Sequence, residues 1–143
     1  MVVSSKLEYE DAVEFGINKD KLHVIPMGID VDEYMNKPVR QNEDTIKILF
    51  VGRIARVRRL EILLQAVAKL SIPFHLTLVG GEEKTSSLSR SGYFDELKKL
   101  CVILNINDRV TFIGSVPQGE LINWYSKGDI FVYPSLYENF GQP

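Results

Sequence analysis

The stretch IKILFVGRIARVRRLEILLQAVAKL, residues 46–70, decides the fold. Its first seven residues, IKILFVG, form a nearly continuous apolar run closed by Gly52. That is the pattern of a short strand buried on both faces of a parallel sheet. Further on, Leu60, Leu63, Leu64, Val67 and Leu70 recur at helical spacing. A strand that turns quickly into an amphipathic helix is the opening of a β-α-β unit.

The rest of the chain repeats this alternation. FHLTLVGG (74–81) reads as a second strand closed by two glycines, and the polar EEKTSSLSRSG that follows reads as a loop. Phe94, Leu97, Cys101 and Leu104 mark a second helix. RVTFIG (109–114) is a third strand, QGELINWYSKG (118–128) a short helix ended by Gly128, and DIFVYPS (129–135) a fourth strand. Strands and helices in alternation with short connections predict an α/β fold, a doubly wound parallel sheet of the Rossmann-like kind. Right-handed crossovers would set the helices on its faces.

Upstream the pattern is looser. Ser5 and Glu8 have capping-box spacing, and Gly16 stands where a first helix would end. KLHVIP (21–26) is a short strand candidate. MGIDVDEYMNKPVRQNEDT is polar and without period, so it reads as a surface connection or linker. Asp30 and Asp32 flank a valine there without extending to a calcium loop, which leaves them as turn residues. At the other end LYENFGQP trails off in a loop, and Pro143 is a residue type favoured at a helix start. A four-stranded sheet with no helix after its last strand would leave apolar surface uncovered, so the expectation is a fragment. The alternative is a short protein that pairs with another chain.

Composition narrows the class. The 143 residues are 45% hydrophobic, enough for one domain with a real core. A net charge of −2 gives no reason to expect a nucleic-acid partner. The single cysteine, Cys101, excludes an internal disulfide framework, and it sits on the apolar stripe of a helix, where it reads as inert core. With two scattered histidines, His23 and His75, no metal site is expected. No apolar run reaches a membrane span, and the start lacks the build of a signal peptide, so a cytoplasmic setting is the default.

In open parallel sheets ligands bind at the carboxyl ends of the strands. Gly52-Arg53, Gly80-Gly81, Gly114-Ser115 and Ser135 to Gly141 all fall there, and each contains glycine, which lets backbone approach a ligand. GRIARVRR (52–59) carries Arg53, Arg56, Arg58 and Arg59 between a strand and a helix. Cations at a helix N-terminus oppose its dipole. An anion held by free helix N–H groups and guanidinium forks together would explain them, with phosphate or diphosphate the natural ligand. A solvated basic face is the other reading. Neither GxxxxGK[ST] nor GxGxxG is present. Glu138 lies in the last loop beside Asn139, Phe140 and Gly141, placed either to meet sugar hydroxyls or simply to face solvent. Tyr133 and Tyr137 flank that loop and could stack on a base or sugar; Trp124 and Tyr125 read as helix packing.

These residues together resemble the GT4-type glycosyltransferases, the group 1 glycosyl transferases of GT-B fold. VVSSKLEYEDAVEFGINKDKLHVIPMGID is similar to that family's interdomain helix, strand and V-I-P-N-G-I/V-D turn. LFVGRIARVRRLEILLQAV is similar to its F-V-G-R-x-x-x-x-K-G helix entry, and LTLVGG, VTFIGSVPQGELINWYSKGDIFVYPS and YENFGQP follow in the family's order. The resemblance implies residues 1–44 as an interdomain segment and linker, and 45–143 as an incomplete donor-binding domain. It implies sugar transfer from a nucleoside-diphosphate sugar with retention of configuration, no metal or other cofactor, and an acceptor that is a sugar, polysaccharide or lipid-linked molecule. It leaves room for peripheral membrane contact by a longer parent protein, and it implies that this piece alone is inactive. By position, Arg53 matches the arginine on the donor diphosphate and Arg58 the lysine with the same task. Gly52 matches the close backbone approach, and Gly114 to Val116 the region beside the base. Glu138 matches the first glutamate of the Glu-x7-Glu motif, with Asn139, Phe140 and Gly141 as the amides facing sugar and diphosphate. The family's lysine-glycine pair reads Arg58-Arg59 here, and Met27 stands for its usual asparagine. The competing readings are a phospho-ligand binding module without catalysis, a GT-B epimerase or phosphorylase, and a Rossmann oxidoreductase, the last of which lacks its glycine fingerprint.

Overall fold

A computed structural model of the chain describes residues 1–28, 31–32, 44–82 and 92–136. They fall into two compact units, residues 1–32 and 44–136.

In the first unit α1 (Lys6–Glu14) starts at Ser5, whose hydroxyl accepts from the Glu8 amide at 3.1 Å. The Glu8 carboxylate reaches back to the amide of Ser4 rather than that of Ser5, at 2.6 Å. Gly16 ends the helix at φ 96°, with the Ile17 amide donating to the Ala12 carbonyl at 2.9 Å. The expected strand over 21–26 shrinks to β2 (His23–Val24), because Lys19–Lys21 turn as a 3-10 helix capped by Asn18. β2 pairs in parallel with β1 (Val2–Val3), an element too short to leave a period in the sequence. Val3, Ala12 and Leu22 form the small core of this unit.

The second unit is the doubly wound sheet. Its strands are β3 (Ile46–Val51), β4 (Phe74–Val79), β5 (Val110–Gly114) and β6 (Ile130–Phe131), all parallel, in the spatial order β5-β4-β3-β6. The helices are α2 (Leu60–Val67), α3 (Tyr93–Ile103) and α4 (Leu121–Tyr125). Alternation along the strands separates two cores. Ile48 and Phe50 of β3 and Phe74, Leu76 and Leu78 of β4 face α2 and α3, which contribute Leu60, Leu63, Leu64, Leu97 and Cys101. Leu49, Val51 and Val79 point to the opposite face, where Leu121, Trp124 and Tyr125 of α4 pack. Helices on both faces explain why β3 and β4 are apolar nearly throughout.

Two elements are shorter than the sequence suggests. The helix read over 118–128 divides into a 3-10 turn, Gln118–Glu120, and α4, whose last residue is Tyr125. Gly128 has a packing reason instead: a Cβ there would lie 2.9 Å from that of Leu49. The strand read over 129–135 is a ladder only at Ile130–Phe131, beside Ile48 and Leu49 of β3. Asp129 extends the join, its carboxylate accepting from the Lys47 amide at 2.9 Å.

The order β5-β4-β3-β6 has one reversal. The chain winds from β3 through β4 to β5, then returns to the far side of β3 to lay down β6. The switch point therefore lies between β3 and β6, and its carboxyl end is where Gly52 leaves β3 and Tyr133 to Ser135 leave β6. Ligands of open α/β sheets bind in such crevices.

Candidate functional site at the carboxyl edge of the sheet

Gly52 closes β3 at φ 152°, with its amide donating to the Val79 carbonyl at 2.9 Å. A Cβ at this position would meet the Tyr133 ring at 3.1 Å and the Phe50 ring at 3.2 Å, so only glycine seats the turn between them without a shift. Arg53 follows, exposed, and lines a cavity of about 320 Å³ with Gly52, Gly80, Gly81, Ser115 and Val116. Gly114 borders this region at φ 85°, its carbonyl accepting from the Gly80 amide at 2.9 Å. Of the residues expected from the sequence, the structure thus gathers Gly52, Arg53 and Val116 around one hollow with Gly114 beside it. A larger hollow of about 430 Å³ lies toward the amino ends of the strands, between Lys47, His75, Trp124 and Lys127, and contains none of the expected set.

The four arginines do not act as one group. Arg56 turns toward α3, where Nη2 donates to both carboxylate oxygens of Glu96 at 2.7 and 2.8 Å and the guanidinium lies 5.0 Å from the centre of the Tyr93 ring. Arg58 is buried, 9% exposed, with Nη1 donating to the Ser135 hydroxyl at 3.0 Å and its guanidinium 4.9 Å from the centre of the Tyr133 ring. Arg59 takes the left-handed conformation, φ 51° and ψ 43°, between the 3-10 turn Arg56–Arg58 and α2. This is the position at which a glycine was expected by resemblance, and the backbone keeps the glycine-like shape with a side chain attached.

At the start of α2 the first amide is already taken by a side chain. The first amide of α2, that of Leu60, donates to the Tyr93 hydroxyl at 3.0 Å, and that hydroxyl donates in turn to the Glu61 carboxylate. Burial first, then the Glu61 carboxylate, hold the Tyr93 phenol well above its ordinary range, so it stays protonated in this role. The physical reason is the 3-10 turn, which inserts itself between β3 and α2 and carries the helix end toward α3. α3 is capped in the same manner: the Glu82 carboxylate accepts from the amides of Gly92, Tyr93 and Phe94 at 3.2, 3.0 and 3.4 Å.

The β6 side of the crevice is tied to that turn. The Leu136 amide donates to the Val57 carbonyl at 2.8 Å, and the Ser135 hydroxyl approaches the same oxygen at 3.3 Å. Tyr133 stacks on Phe50, ring centres 5.6 Å apart and planes 13° apart, and on Phe131 at 6.0 Å and 17°. Its hydroxyl is buried and has no hydrogen-bond partner among the described residues. Burial raises the phenol's pKa, and the nearby Arg58 and Arg53 guanidinium groups pull it partly back. The sequence offers Tyr133 for ligand stacking; in the structure the Arg58 guanidinium lies over its ring. Trp124 and Tyr125 pack on the sheet as their spacing suggests, and Cys101 is buried, its thiol pushed up by burial. Tyr137, Glu138, Asn139, Phe140 and Gly141 lie outside the described residues. Among the described residues no helix is long and apolar enough to cross a membrane, and no His, Cys, Asp or Glu cluster is arranged to hold a metal.

Sheet order, switch point and a glycine-lined carboxyl edge define a Rossmann-like α/β domain. Residues 31–143 match the model of the glycosyl transferases group 1, and the chain belongs to that family. It is similar to the D-inositol 3-phosphate glycosyltransferases of Xylanimonas cellulosilytica and Mycolicibacterium smegmatis, each 30% identical over 99% of the chain but only 36% and 33% of the relative. The chain thus spans about a third of the length of the curated relatives it matches. Among solved structures it is similar to a sucrose-phosphate synthase of Thermosynechococcus elongatus, with 30% identity, TM-score 0.78, and coverage of 98% of this chain and 36% of that one. Anabaena HepE, solved with UDP and glucose, shares the fold at TM-score 0.84 and 21% identity, covering 98% of this chain and 39% of that one. These neighbours are glycosyltransferases of GT-B fold, and the chain is a Rossmann-like portion of that architecture.

Proposed function

We propose that the chain carries the donor side of a glycosyltransferase that moves a sugar from a nucleoside-diphosphate sugar to an acceptor with retention of configuration. The observation that supports this reading is the hollow that Arg53 lines with Gly52, Gly80 and Gly81 at the carboxyl edge of the sheet, with Arg58 set against Tyr133 and Ser135 on the β6 side of the switch point. A diphosphate there meets an exposed guanidinium at Arg53 and a buried, oriented one at Arg58. In transfer the bond between the anomeric carbon and the diphosphate oxygen breaks, and negative charge grows on the leaving oxygen. Preoriented cations at that point stabilise the charge as it develops. Glu138 is assigned to orienting the sugar, and Asn139, Phe140 and Gly141 to offering amides. Gly114 and Val116 are assigned to the base. Residues 45–143 form the donor domain on this reading, and 1–44 the interdomain segment and linker. Because the chain spans about a third of its relatives, the 143 residues alone are expected to bind donor without transferring it. A reducing, cytoplasmic setting suits a domain whose one cysteine is a buried thiol.

Titration calorimetry with UDP, GDP and ADP tests the reading. Saturable binding of one nucleotide, lost in Arg53→Ala, supports it and identifies the base. Absence of binding to all three, in wild-type protein shown to be folded, defeats it.

A further inference from the structure

We infer that Tyr133 is the positioning residue of this site: its ring face seats the Arg58 guanidinium on the β6 side of the switch point. The inference rests on the donor-site reading for its consequence and on geometry for its substance.

Arg58 is a charged side chain in a place that burial makes expensive. Two contacts of the guanidinium offset part of that cost, and a third fixes one of the partners. The Tyr133 ring faces the guanidinium at 4.9 Å, the Ser135 hydroxyl accepts from Nη1 at 3.0 Å, and Ser135 is itself fixed by the Val57 carbonyl next to Arg58. The ring, the floor of this seat, in turn stacks on Phe50 and Phe131, which restrict its rotation. Gly52 matters to the same floor, because a side chain there would press on the ring edge at 3.1 Å. One aromatic residue thereby joins the strand end that carries Arg53 to the turn that carries Arg58, across the switch point.

The hydroxyl makes no hydrogen bond to this seat. It is buried with no partner among the described residues, and losing an unsatisfied buried hydroxyl costs little. Ring and hydroxyl therefore separate by substitution. Tyr133→Phe keeps the floor; Tyr133→Leu keeps an apolar, though smaller, side chain and removes the π face that attracts the cation.

The experiment uses the 143-residue chain, UDP as probe, and three variants: Tyr133→Phe, Tyr133→Leu and Arg58→Ala. UDP affinity is expected to be unchanged in Tyr133→Phe and roughly five- to thirtyfold weaker in Tyr133→Leu, the range a partly desolvated cation–π contact supports. In the background of Arg58→Ala, Tyr133→Leu is expected to add nothing, since a floor with no guanidinium on it has no effect on the ligand. Wild-type affinity in Tyr133→Leu, or equal losses with and without Arg58, overturns the inference and leaves the donor-site reading standing. A ligand-free measurement decides the inference even if UDP does not bind at all. The Arg58 Nε–Hε resonance in NMR spectra is expected to carry a ring-current shift in wild type and Tyr133→Phe and to lose it in Tyr133→Leu. An Arg58 resonance with no such shift in the wild-type chain removes the seat outright.

Discussion

Gly80 and Gly52 meet backbone to backbone: a Cβ built on Gly80 would stand 1.8 Å from the Gly52 carbonyl oxygen. Gly80 also has φ 143° and donates its amide to the Gly114 carbonyl. The carboxyl ends of three neighbouring strands are therefore sealed against one another by glycine, under the cavity that Arg53 lines. Gly80→Ala is expected to cost about 2–4 kcal/mol, because backbone cannot move aside as a side chain can. Gly81→Ala meets only the Ser115 hydroxyl, which rotates away, and should cost clearly less. Urea denaturation of the two variants checks the order; equal losses would contradict it.

Arg53 and Arg58 should separate binding from stability. Arg53 is exposed, so Arg53→Ala is expected to leave the melting temperature within error while weakening nucleotide binding about tenfold or more, as loss of a charge-assisted hydrogen bond does. Arg58 is buried on Tyr133 and bonded to Ser135. Arg58→Ala is expected to weaken binding and also to cost about 1–3 kcal/mol of stability through the cavity and the lost contacts. Calorimetry paired with thermal melts distinguishes the two patterns.

Arg59 holds a left-handed backbone that favours glycine. Arg59→Gly is expected to stabilise the chain by about 1 kcal/mol, since an L side chain pays roughly that in this region. Unfolding midpoints in urea would show it directly, and a decrease would mean that the Arg59 side chain contributes more than its backbone strain.

Tyr93 predicts an alkaline limit. Its phenol is held above the ordinary value by burial and by the Glu61 carboxylate that accepts its proton. The folded state therefore keeps that proton at pH values where the unfolded chain has lost it. The contribution is complete below about pH 10, the unfolded value, and declines as pH rises through the raised folded value. Thermal melts across this range should fall more steeply for wild type than for Tyr93→Phe. At neutral pH the variant should be less stable by about 1–2 kcal/mol, because the Leu60 amide loses its acceptor.

The parts of this molecule that were legible in sequence are those that repeat a physical pattern. β3 and β4 are apolar runs because both faces are covered, and α2 shows its stripe in Leu60, Leu63, Leu64 and Val67. Gly52 and Arg53 stood out because glycine and arginine at a strand end break the surrounding pattern. What stayed hidden depends on tertiary partners. β1 has no period to detect in two residues. Four arginines in a row of seven look alike until Glu96 claims Arg56 and Tyr133 claims Arg58. The amide of Leu60 looks available to an anion until a tyrosine from another helix reaches it.

The pairing of β3 with β6 sets an order of assembly. β4 reaches β3 across a single helix, whereas the Lys47 amide and the Asp129 carboxylate that open the β6 join are 82 residues apart. Loop-closure entropy grows with such separation, so contacts among β3, β4 and β5 gain a kinetic advantage over the β6 join. Tyr133 and Ser135 arrive only with β6, and until then Arg58 has neither its floor nor its acceptor. During synthesis and refolding the chain would thus acquire a nearly complete core before it acquires the edge that Tyr133, Ser135 and Arg58 share, and a newly made molecule would look folded while that edge was still unformed.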